Sequence, residues 1–84
     1  MVSIWLLTDF GGSSPYIGEM KAAIRRINPN VAIYDLTHNI PRHQISIAAF
    51  LVKAASGYIP VGDIIIGVVD PGVGTKRKAI IVAT

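Results

Sequence analysis

Two charged residues frame the stretch of this chain best suited to chemistry. Asp70 follows an apolar run from Asp63 to Val69, and Arg77 closes the loop Pro71-Gly72-Val73-Gly74-Thr75-Lys76 behind it. A carboxylate facing a guanidinium in a partly dry cleft stays ionised and can orient a ligand or a water. The same pair could instead be a loop-closing ion pair, since structural pairs also perturb titration. Gly72 and Gly74 with Lys76 and Arg77 could form an anion nest, which makes phosphate an alternative ligand.

Two further polar points follow apolar runs. Asp9 ends the run that begins at Ser3, and a carboxylate there can accept two hydrogen bonds from a ribose diol; its plainer role is an Asx turn or a helix cap. Thr37-His38-Asn39 follows the second run. His38 and His43 are five apart across a proline, which is not the i, i+4 pairing of a helical zinc site, and a metal set made with Asp35 is a weak alternative. No metal site is assigned. Gly11-Gly12 lacks the GxGxxG spacing, and nothing matches a P-loop.

The elements that must carry these residues are legible from turn signals and periodicity. Ser3 to Leu7 reads as a first strand, Val31 to Leu36 as a second and Asp63 to Val69 as a third. Ser14 can cap a helix with Pro15 at its first position; Ile17, Met20, Ile24 and Ile27 give that helix an apolar face, with Met20 in the core. Arg25 and Arg26 suit its last turn, and Asn28-Pro29-Asn30 stops it. Pro41-Arg42-His43 is expected to open a second helix that buries Ile47, Phe50, Leu51, Ala54 and Ala55 and is capped by Gly57. Only eight residues, Asp70 to Arg77, and then Lys78 precede the last run, Ala79 to Ala83. A parallel crossover needs a dozen or more, so this strand is antiparallel to the third or leaves the sheet.

The order β-α-β-α-β-β predicts an α/β fold of the three-layer type, with a mostly parallel sheet and packed helices. Asp9, Thr37-His38 and Asp70 would then share the carboxyl edge, where open α/β sheets bind ligands. The chain has 84 residues, 51% of them hydrophobic and 15% charged, which suits buried parallel strands and leaves apolar surface for more chain or a partner. The final apolar strand points the same way, to an N-terminal piece of a larger domain.

The composition also removes function classes. Without cysteine there are no disulfides and no thiolate metal sites, and a reducing cytoplasm is compatible. The net charge of +3 comes from two short clusters, too narrow for a nucleic-acid footprint but suited to an anionic small molecule. No apolar run reaches the ~18 residues of a membrane span, and the N-terminus lacks a signal peptide's basic start and cleavage site.

Four blocks occur in order: Thr8-Asp9-Phe10-Gly11; Tyr16-Ile17-Gly18-Glu19-Met20-Lys21; Thr37-His38-Asn39-Ile40-Pro41-Arg42-His43; and Val69-Asp70-Pro71-Gly72-Val73-Gly74-Thr75-Lys76-Arg77-Lys78-Ala79. Together they resemble the start of the S-adenosylmethionine hydrolases, or SAM hydroxide adenosyltransferases, relatives of the fluorinases and chlorinases. The block around Asp70 is the specific part.

The resemblance implies attack of water or hydroxide on the ribose 5′ carbon of S-adenosylmethionine, releasing adenosine and methionine, with the sulfonium as substrate and no cofactor. It implies Asp70 and Arg77 as catalytic residues and Asp9 as the acid that holds the ribose hydroxyls. His43 aligns near the substrate, and Ser14 and Tyr16 with a loop near the methionine moiety. An Asp at 70 separates the chain from the fluorinases, where that position resembles a Tyr and a carboxylate would repel halide. A third catalytic residue, a His, is expected beyond Thr84. Residues 1–84 would be the N-terminal portion of the α/β domain, without the β-rich second domain, and the assembly would be a trimer. A nucleoside-binding or assembly fragment without turnover, and a phosphate-binding module, are the alternatives.

Overall fold

The computed structural model describes residues 2–69 in full and the strand at 78–83 by its backbone. The elements are β1 (Ser3–Thr8), α1 (Pro15–Ile27), β2 (Ala32–Thr37), α2 (Ile45–Ser56), β3 (Ile64–Val69) and β4 (Lys78–Ala83). They form one sheet in the order β2-β1-β3-β4, parallel from β2 to β3, with β4 antiparallel to β3. The expected α/β order is therefore found, and the short connection before β4 does give an antiparallel neighbour. Among the described residues no helix is long and apolar enough to cross a membrane.

The chain leaves β1 toward β2 on one side and returns past β1 to β3 on the other. Right-handed crossovers in opposite directions place the two helices on opposite faces. Side chains fit this. Leu6 and Asp35 are register partners and share a face, and Lys21 of α1 reaches Asp35 there at 2.8 Å. Leu7 and Val69, on the other face, pack with Ile40 and Ala48 of the α2 side. Leu6 and Leu7 are adjacent and point to opposite faces, yet both are fully buried, so β1 is covered on both sides.

The helices differ from expectation in ways the backbone explains. Ser14 caps α1 as expected, accepting from the Tyr16 amide at 3.2 Å, with Pro15 in the first turn and Arg25 and Arg26 in the last. Ile17, Met20 and Ile24 are only half-buried, Met20 is not core, and Ile27 is 89% exposed at the fraying end. Pro41-Arg42-His43 does not open α2. Pro41 accepts from Gln44 N–H in a turn whose third residue, His43, has φ 66°, the positive value a type II turn requires there. A left-handed residue cannot start a helix, so α2 begins at Ile45.

Of the expected face of α2, Leu51 and Ala55 do turn inward, but Ile47, Phe50 and Ala54 are exposed, and Ala48 and Val52 complete the buried stripe in their place. The helix is apolar nearly all round, so either stripe has helical spacing, and the sheet selects the one with the smaller Ala48 at closest approach. Phe50 is left 69% exposed. Gly57 is the C-cap, as expected, in right-handed conformation. β3 begins one residue late because Asp63 closes a turn onto Pro60 through Gly62 at φ 99°.

Candidate functional site

The order β2-β1-β3 makes β1/β3 the point where crossovers diverge, and such switch points open a crevice at the strand carboxyl ends. Asp9 stands there. Its residue is 7% exposed, and its N–H donates to Val68 O of β3 at 3.3 Å, the last link of the parallel ladder.

The loops after β1 and β2 are laced together on this edge. Gly11 N–H donates to His38 O at 2.7 Å, Gly12 N–H to Asn39 Oδ1 at 3.2 Å, and Ile40 N–H to Thr8 O at 3.3 Å. Gly11 has φ 89°, a conformation that glycine adopts without the steric cost of a Cβ. Leu6 pairs with Asp35 but Leu7 with Thr37, so Leu36 is an extra residue in β2. Such a bulge bends the strand end and re-aims the side chains beyond it.

The centre of the lacing is a side-chain chain. Lys21 Nζ donates to Asp35 Oδ2 at 2.8 Å, His38 Nε2 meets Asp35 Oδ1 at 2.7 Å, and His38 Nδ1 meets Thr8 Oγ1 at 2.8 Å. Phe10 N–H donates to the same Thr8 oxygen at 3.2 Å. The Lys21 ammonium, and then His38, hold the Asp35 carboxyl below its ordinary value against a partial desolvation. An ionised Asp35 only accepts, so a neutral His38 carries its proton on Nε2, and Nδ1 accepts from the Thr8 hydroxyl. That gives a fully buried hydroxyl proton its acceptor.

Ser14 closes the loop that follows Asp9, and Tyr16 stands in the first turn of α1 just beyond it. Ser14 N–H donates to Gly11 O at 3.1 Å, and the Tyr16 ring meets Phe10 edge-on at a centroid distance of 6.0 Å. Tyr16 is more than half exposed, an aromatic face beside the Asp9 turn. His43 sits on the β2–α2 connection at the same sheet edge, in the left-handed position described above. Asp70 and Arg77 lie outside the described residues. The residues to which they are bonded, Val69 and Lys78, are cross-strand partners.

The weak metal set does not form. Both ring nitrogens of His38 are engaged, and among the described residues no three metal-ligating side chains cluster. Two concavities among the described residues, about 400 and about 270 Å³, are apolar grooves along α2. Leu36, Leu51 and Tyr58 line one, and Val52, Gly67 and Val69 the other; neither contains Asp9, Ser14, Tyr16 or His43. They are packing features and not the polar edge.

Sequence reasoning passed over Thr8, Asp35 and His38 as a unit. The signal was available only in part. A hydroxyl at the end of one strand and an imidazole after the next are adjacent once β1 and β2 are known to be parallel neighbours.

Comparison with known proteins matches residues 4–84 to the SAM hydroxide adenosyltransferase N-terminal domain. The chain is 39% identical over 80 residues to the (R)-S-adenosyl-L-methionine hydrolase of Thermus thermophilus, covering 95% of this chain and 31% of that one. It is 35% identical over 85 residues to the hydrolase of the same name from Methanocaldococcus jannaschii, covering 96% and 32%. A crystal structure of an uncharacterized conserved protein from Thermotoga maritima superposes with a TM-score of 0.79 at 43% identity, over 89% of this chain and 29% of that one. The chain thus spans about a third of the length of the curated relatives it matches. From its four sequence blocks, its doubly wound sheet and the match over residues 4–84, the chain belongs to the SAM hydroxide adenosyltransferase family.

Proposed function

We propose that this chain supplies the ribose-binding and water-positioning half of an S-adenosyl-L-methionine hydrolase. The observation that carries the reading is Asp9, a buried carboxylate at the β1/β3 switch point, in a chain whose relatives are named for this reaction. A carboxylate there can take both hydroxyls of a ribose diol, and the half-exposed Tyr16 offers a face to the rest of the ligand. Ser14 and His43 belong to the same binding set.

In this reading an oxygen of water attacks the ribose 5′ carbon, and the bond from that carbon to sulfur breaks. The electron pair goes to sulfur, so the cationic sulfonium leaves as neutral methionine and needs no proton. The attacking water gives its proton to Asp70 or to solvent, and adenosine results. Alignment and partial desolvation of the nucleophile then matter more than strong acid catalysis. Asp70 and Arg77 are the pair assigned to hold that water, and Arg77 tolerates its developing hydroxide character. The family resemblance supports a trimeric assembly, with the site completed by chain that these 84 residues do not include; sedimentation velocity is the test of that part.

The activity test is chromatography after incubation with S-adenosylmethionine. Adenosine and methionine in equal amounts are expected from a protein carrying these residues, with no chlorinated nucleoside in a chloride-rich control. A chlorinated product, or adenosine release that survives Asp70→Ala, overturns the mechanism. A second reading, nucleoside binding without turnover, needs only the buried Asp9 carboxylate at the β1/β3 edge; adenosine binding without product distinguishes it.

A further inference from the structure

We infer that His38 is a positioning residue for the Asp9 site, holding through the Thr8 hydroxyl the turn that carries the Asp9 carboxylate. The inference rests on the reading of Asp9 as the acid that meets a ribose. It concerns residues to which that reading gives no role.

The geometry is specific. Asp9 lies between Thr8 and Phe10, and one oxygen, Thr8 Oγ1, ties both neighbours: it belongs to Thr8 and accepts the Phe10 N–H at 3.2 Å. That oxygen is fixed in turn by His38 Nδ1 at 2.8 Å. His38 grips the turn a second time through its carbonyl, which takes the Gly11 N–H at 2.7 Å. The imidazole cannot rotate away without breaking its Nε2 contact to Asp35 at 2.7 Å, and Asp35 is tied to α1 by Lys21 at 2.8 Å.

A hydroxyl, an imidazole and a carboxylate in series also suggest a nucleophile. Burial decides against it: Thr8 is 0% exposed, so its oxygen cannot meet a substrate. What the series can do is fix the direction of a neighbouring group. A carboxylate held in place before binding loses less freedom on binding, which appears as affinity.

The test measures adenosine affinity by calorimetry for the 84-residue chain and for Thr8→Val, Thr8→Ser, His38→Gln and Asp9→Ala. Thr8→Val keeps the shape and removes the hydroxyl. His38→Gln keeps a donor toward Asp35 and moves its one acceptor, the amide oxygen, off the Nδ1 position that faces Thr8. Both are expected to weaken adenosine about tenfold, the effect of one lost hydrogen bond, while Thr8→Ser stays within about twofold. In the unaltered chain, nitrogen NMR is expected to show His38 protonated on Nε2 and bare on Nδ1; the opposite tautomer overturns the inference, whether or not the variants fold. A merely structural network would lower the unfolding midpoint and leave the affinity of folded Thr8→Val unchanged, which also overturns it. Affinity lost in Asp9→Ala but equal in the other variants keeps the ribose reading and removes the positioning role. Affinity unaltered in Asp9→Ala, or no binding at all, removes the ribose reading and the inference together.

Discussion

The indole N–H of Trp5 donates to the Asp63 carboxylate at 2.9 Å, tying the middle of β1 to the residue that precedes β3. The other carboxylate oxygen takes the Ser3 N–H at 3.0 Å, and the Trp5 ring lies against Tyr34 of β2 at a centroid distance of 4.7 Å. The two donors, the indole first, hold the Asp63 carboxyl below its ordinary value of 3.8. A carboxyl that titrates lower when folded adds stability that is complete above the unfolded value and is lost as pH falls through the folded one. Thermal unfolding followed by Trp5 fluorescence should therefore show the midpoint falling below about pH 4. Asp63→Asn should have a lower midpoint at neutral pH and a flatter acid limb. An acid limb as steep in Asp63→Asn as in the unaltered chain would assign acid lability to other groups.

Gly11 holds φ 89° where the β1–α1 loop is pinned to His38. Gly11→Ala forces a Cβ into that conformation and should destabilise by about 1–2 kcal/mol, read as a lower urea midpoint with unchanged slope. The same variant should weaken adenosine, because the strain falls on the turn next to Asp9.

His43 carries the opposite trade. It is a non-glycine residue at φ 66°, and releasing such strain is worth about 1 kcal/mol. His43→Gly should be more stable or equal in the urea midpoint, yet bind S-adenosylmethionine less well. A variant that binds equally would reduce His43 to a turn residue.

For turnover, Asp70→Asn should lower the rate of adenosine formation on the order of 100-fold with KM little changed, since the water contact strengthens only as charge develops. Asp9→Asn should act chiefly on KM. The reverse pattern would exchange the roles of the two acids.

The core offers a measure independent of the site. Leu7 is 1% exposed and packs with Ile40, Ala48 and Val69 beneath α2. Leu7→Ala should cost about 2–5 kcal/mol, visible as a large drop in urea midpoint.

What could be read without coordinates was local. Ser14-Pro15 announced the start of α1 because capping acts within one turn, and the eight residues before β4 were too few for a parallel crossover, which left only an antiparallel return or a strand outside the sheet. The carboxyl-edge position of Asp9 followed from alternation. Three things were illegible for physical reasons. The face of α2 was ambiguous because Phe50 and Val52 are both apolar and only the sheet chooses between them. The turn at His43 was hidden because the chain there looks like a helix start until its φ is known. His38 could not be assigned because its partners come from two strands: Asp35 is only three residues away, but Thr8 is thirty residues off, and no sequence spacing announces that partnership.

The central position of β1 sets when the site can exist at all. Ser3 pairs with Ala32 and Ile4 with Ile64, so the strand has no hairpin partner and waits for both crossovers. Non-local pairing of this kind slows folding and makes it depend on the whole chain. The Asp9 turn therefore has no early, locally folded form: its hydrogen bonds to His38 and Val68 close only when β2 and β3 have docked. Amide protons at Asp9 and Gly11 should then exchange in step with those of β3, so that a nucleoside bound at this edge would slow exchange across the sheet and not merely in the loop it touches.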